Sequence, residues 1–101
     1  MPNVRPAAST GTAAMTIDLP PLTPPVKRSL SIDGHATSVS LEDAFWRAAQ
    51  DAAAARGLTR AQLIAVLDHA RPPEVGLATA IRLFLLAEAR QGRLERRGEA
   101  D

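Results

Sequence analysis

The sequence predicts a mostly α-helical domain built on a short β hairpin, and three observations predict it. Asp33-Gly34 stands between two alternating apolar runs, a hairpin signal because a two-residue type I′ turn needs positive φ at both centres. Three helix-length segments follow, separated by Gly57 and by Pro72-Pro73. Six of the eight prolines fall in the first 25 of 101 residues, which sets a Pro/Ala-rich arm apart from the rest.

Residues 1–25 read as a disordered arm, held extended near its end by Pro20-Pro21 and Pro24-Pro25. Residues 26–91 are the folding unit, and 92–101 a frayed tail of mixed charge. A unit of this size has a marginal core, and oligomerisation is a usual remedy.

In a two-residue hairpin Ile32 lies opposite His35, Leu30 opposite Thr37 and Ser29 opposite Ser38. Side chains alternate between faces along a strand. Leu30, Ile32, Val39 and Leu41 therefore share a core face, while Lys27, Ser29, Ser31, Ala36, Ser38 and Ser40 share the other. Lys27 and Arg28 add charge beside the small hydroxyls.

The first helix is expected from about Leu41 to Arg56, with Ser40 as N-cap and Asp43 at N3 of a capping box. Leu41, Phe45, Ala48, Ala49, Ala52 and Ala55 make its apolar stripe, with Trp46 on the shoulder and Gly57 ending it. Thr59 caps a second helix with Gln62 at N3. Leu63, Val66, Leu67 and Ala70 form its apolar face with Ile64 beside them, and Asp68 and His69 point away. The helix stops before Pro72, since a residue preceding proline is pushed out of the α region. A third helix spans about Leu77 to Arg90. Leu77, Ile81, Phe84 and Leu85 take one side and Leu83 and Leu86 much of the other, so a second subunit is the expected cover.

The segments GHATSVSLEDAFW, AAARGLT, LIAVLDHAR and LATAIRLFLL resemble the ribbon-helix-helix proteins. More narrowly, they are similar to a bacterial subfamily with an extra N-terminal strand and a third helix. The likeness covers about residues 27–90. It implies an intertwined homodimer in which one strand from each subunit pairs antiparallel and enters the DNA major groove. It implies Ser38 as a base reader flanked by Ala36 and Ser40, and Thr59 and Arg60 opening a helix that anchors a phosphate. Lys27, Arg28, Ser29 and Ser31 complete the expected DNA surface. Val39, Leu41, Phe45, Trp46, Leu83, Phe84 and Leu86 are the expected dimer interface.

Two points stay open at the level of sequence. A serine-rich face also suits the solvated side of a half-buried sheet. If the hairpin forms in both subunits, the dimer sheet has four strands, too broad to enter a groove as a simple ribbon.

Other classes are disfavoured. With no cysteine there is neither a disulfide nor a thiolate site. His35 and His69 have no HxxxH or HExxH partner, and no glycine-rich phosphate loop occurs. We expect no enzyme, metal or cofactor. No signal peptide or membrane span is read, and a cytoplasmic protein is expected. The net charge of +1 argues against a histone-like or polybasic binder but not against a local basic patch. The functional expectation is a dimeric transcriptional regulator binding double-stranded DNA. The alternatives are a homodimeric protein-interaction module of the same fold, or an antitoxin-like protein with an unknown protein partner.

Overall fold

The computed structural model describes residues 16–92. Residues 1–15 of the expected arm and 93–101 of the expected tail lie outside the described residues. Positions 16–25 form no helix or strand and are exposed throughout.

Two antiparallel strands, β1 (Val26–Ile32) and β2 (His35–Leu41), meet at Asp33 and Gly34. Those two residues have φ of 54° and 79°, the pair of positive values a type I′ turn requires. The register runs from Ile32 opposite His35 to Val26 opposite Leu41, which matches the pairing expected from a two-residue turn.

The first helix, α1 (Asp43–Ala55), starts two residues later than expected. Leu41 completes β2 opposite Val26, and its side chain is wholly buried. Burying that leucine in the sheet outweighs the local preference of Ser40 for a cap. Glu42 becomes the N-cap residue without a side-chain cap bond. Its carboxylate is engaged elsewhere: Arg82 donates to Oε1 from Nε and Nη2 at 3.1 and 2.9 Å, and to Oε2 from Nη2 at 3.1 Å. Asp43 does not reach back either, since it pairs with Arg47 at 2.8 Å and Arg28 at 3.6 Å.

Hydrogen bonding from its own backbone amide, and then from Arg82, holds the Glu42 carboxyl below the usual carboxylate range. A folded-state pKa below the unfolded one contributes stability that is complete above about 4.3, the free Glu value, and lost as pH falls through the lowered pKa. An NMR titration should therefore place the Glu42 midpoint below that value. Arg82→Gln should move it only part of the way back, because the backbone contribution remains. A wild-type midpoint at or above the free value would overturn this account.

Gly57, with φ of 71°, ends α1. Its amide donates to Ala54 at 3.0 Å and that of Leu58 to Ala53 at 2.9 Å, the paired bonds of a Schellman motif. The second helix, α2 (Arg60–Ala70), opens on the expected capping box. The Gln62 amide donates to Thr59 Oγ1 at 3.1 Å and the Thr59 amide to Gln62 Oε1 at 2.8 Å. Arg71, before Pro72, already has extended backbone. Its guanidinium holds Asp68 at 2.9 Å and the Val75 carbonyl at 2.6 Å, which steers the chain into α3 (Leu77–Arg90).

Ile32, Val39, Leu41, Ala49, Ala52, Ala53, Leu63, Ile64, Ile81 and Leu85 form the core beneath one face of the hairpin. Two helical faces differ from the periodicity. In α1, Ala53 is buried and Ala55 exposed. In α2, Ile64 is wholly buried while Val66 is 56% exposed and Ala70 lies in solvent. Because α2 packs against β1, α1 and α3 together, its inward arc centres on Leu63 and Ile64 rather than on the expected stripe. His69 does not simply point away: Nε2 lies 2.5 Å from Asp33 Oδ2, tying α2 to the hairpin turn.

The core also admits one carboxylate, Glu88, which is 4% exposed. Arg56, at the end of α1, meets it at 2.8 Å, donates to the Ala52 carbonyl at 3.1 Å and lies over Phe84. Among the described residues, no helix is long and apolar enough to cross a membrane.

Candidate nucleic-acid interface

The face of the hairpin turned away from the helices carries Lys27, Ser29, Ser31, Ala36, Ser38 and Ser40, all of them exposed. Alternation puts them there: each cross-strand pair shares a face, so Lys27 with Ser40, Ser29 with Ser38 and Ser31 with Ala36 make three outward rungs. Among the described residues of the two strands, no carboxylate shares this surface.

Arg28 is not on it. Its partner across the ladder is Val39, which is buried, so Arg28 lies on the inner face. There Nε and Nη2 donate to the Leu41 carbonyl at 3.3 and 3.2 Å, while the guanidinium lies 5.5 Å from the centroid of Trp46. The expectation that Arg28 sits beside Lys27 on the DNA-facing surface is corrected on this point. Counting back in twos from Ile32 and Leu30 gives the same placement, so the signal was in the sequence.

Thr59 and Arg60 stand together at the start of α2. The Thr59 hydroxyl is committed to the Gln62 amide. The Arg60 guanidinium carbon lies over the Trp46 ring, 4.0 Å from its centroid. Burial, and then the charge of Arg28, lower its pKa, although an arginine so shifted remains a cation at neutral pH.

Of the residues expected at a dimer interface, Val39 and Leu41 are shut inside the protomer's own core. Phe45, Trp46 and Phe84 are half-buried, each with a guanidinium over its ring: Arg82 at 5.7 Å on Phe45, Arg60 and Arg28 on Trp46, and Arg56 at 5.2 Å on Phe84. Leu83 and Leu86 remain exposed, at 60% and 52%. With Ala87, Arg90 and Gln91 they line an open groove along α3. Among the described residues, no three His, Asp or Glu side chains gather where they could hold a metal ion.

A family model described as a ribbon-helix-helix domain matches residues 25–89, from before β1 to the last turn of α3. The chain belongs to the ribbon-helix-helix domain family. Proteins of this family are in general DNA-binding transcription regulators or antitoxins, without enzymatic activity. No curated protein and no solved structure matches the chain significantly. In this ribbon-helix-helix domain, β2, α1 and α2 follow one another with only Glu42 and the Arg56–Thr59 link between them. β1 extends the ribbon on one edge, and α3 closes the core against β2 and α1.

Proposed function

We propose that the protein is a homodimeric, sequence-preferring DNA-binding regulator that lays the serine face of its hairpins on the major groove. The observation that carries this reading is that face itself. Six small or basic side chains are exposed on it, with no carboxylate to repel a phosphate. Short hydroxyls let a backbone approach closely and can bond base edges or phosphates.

Among the described residues of one protomer, β2 has a partner on one edge only. A second β2 on the open edge gives a four-stranded sheet with the two β2 strands in the middle. At about 4.8 Å between neighbours, the outer strands stand about 14 Å apart, more than the roughly 12 Å width of the major groove. The central pair therefore supplies the base readers, Ser38 through its hydroxyl and Ala36 through contact with a thymine methyl. The outer strands place Lys27 over the flanking phosphates. The open face of α3, with Leu83 and Leu86, packs against the second protomer.

A dimeric interaction module of the same fold is favoured by one observation, that among the described residues Lys27 is the single basic one on the face. Selection from random duplexes with the purified full-length protein decides between them: enriched sequences support the DNA reading, and their absence at low salt supports the module. Lys27→Ala should weaken binding to every sequence and lower the salt slope by about two per dimer, one phosphate being released from each protomer. Ser38→Ala should instead change the preferred sequence, at a cost of about 1–3 kcal/mol on the best site. A Lys27→Ala protein with an unaltered salt slope would remove Lys27 from the contact surface.

A further inference from the structure

Trp46 is the one tryptophan of the chain, and it stands where β1, α1 and the start of α2 meet. Two guanidiniums lie over its ring, that of Arg60 at 4.0 Å and that of Arg28 at 5.5 Å from the centroid. Their situations differ. Arg28 is anchored by the Leu41 carbonyl and by Asp43. Arg60 has no carboxylate or carbonyl partner among the described residues, and its Nε is closed off from solvent with nothing to bond. Burial and the neighbouring Arg28 both act against its charged form. Two like charges gathered on one ring, that of Arg60 without an ion-pair partner among the described residues, describe a place that attracts an anion to the open end of the guanidinium; the closed-off Nε is out of its reach.

We propose that Trp46 is a positioning residue for phosphate binding, its ring holding the Arg60 guanidinium ready for a phosphate of the DNA backbone while Arg28 adds fixed positive charge. A free arginine loses rotamer freedom when it takes a ligand, whereas a stacked one has already lost it. This inference rests on the DNA-binding reading and extends it from the sheet to the α1–α2 corner.

The test uses the full-length protein, a labelled mixed-sequence duplex, and short inorganic polyphosphate as a probe without bases. Anisotropy reports duplex binding, and Trp46 emission reports the ring. Both anions are expected to change Trp46 emission, and added salt to reverse the change. Arg60→Ala should abolish it and weaken duplex binding roughly ten-fold, as expected for one charge-assisted contact. Trp46→Leu should weaken binding by a similar factor, the double variant no further, and Trp46→Phe should retain most of the affinity.

Melting curves select a temperature at which every variant is folded, and Arg60→Ala keeps the test valid if Trp46→Leu does not fold. Multiplying losses in the double variant, or wild-type affinity in Trp46→Leu or Arg60→Ala, would overturn the proposal while the DNA reading stands. Polyphosphate acting on Trp46 without duplex binding would support the phosphate site and remove the DNA reading. Should neither anion alter the emission, the site is refuted.

Discussion

If the protein is the DNA-binding homodimer proposed above, Leu86→Asp is expected to convert it to a monomer at micromolar concentration and, with that, to abolish specific DNA binding. In the lone protomer Leu86 is 52% exposed beside Leu83 at 60%, on a helix whose opposite side buries Ile81 and Leu85. An aspartate there is harmless to a single chain, but in a closed dimer it leaves a charge without water or a partner. Such burial costs several kcal/mol, and about 3 kcal/mol already raises a dissociation constant more than a hundred-fold. Each monomer would present half of the sheet and half of the phosphate contacts. The melting temperature should fall as well and cease to depend on concentration, because dimerisation stabilises by mass action. Sedimentation equilibrium decides the matter. A wild type that is monomeric and well folded, or a Leu86→Asp protein that remains a dimer, would remove α3 from the interface.

Ile64→Ala is expected to cost about 2–5 kcal/mol, a large part of the stability of so small a domain. The side chain is wholly buried within α2 where β1, α1 and α3 converge, and its loss leaves a cavity that three elements must close. For a domain of this size the melting temperature should drop by roughly 8–40 °C, at roughly 4–8 °C per kcal/mol. Val66→Ala on the same helix should change stability by no more than about 0.5 kcal/mol in the protomer, because Val66 is 56% exposed. Periodicity ranks the two residues the other way, with Val66 on the apolar face and Ile64 beside it. Chemical denaturation of the two variants at one protein concentration therefore compares the periodicity with the packing. A larger loss from Val66→Ala would show that this flank of α2 is covered in the dimer.

The contrast between those residues marks where the sequence is legible by itself. The hairpin is determined locally. Asp33 and Gly34 take positive φ because their types tolerate it, and the two-residue turn then sets every rung as far as Val26 and Leu41. The serine face follows from that register and from alternation alone. The Thr59–Gln62 capping box, the glycine stop at Gly57 and the halt before Pro72 are likewise decided within a few residues, by backbone groups that need a partner nearby.

What the tertiary structure decided involves groups distant along the chain. Leu41 stays in the strand because its burial outweighs the cap at Ser40, and Glu42 serves Arg82, forty positions away. Glu88 enters the core because Arg56 comes with it. Arg60 and Arg28 meet over Trp46 from different elements. Helical period gives the angles between side chains but not the direction of the core. When one helix is flanked on several sides, as α2 is, the neighbours choose the buried arc, and they put Ile64 inside and Val66 out.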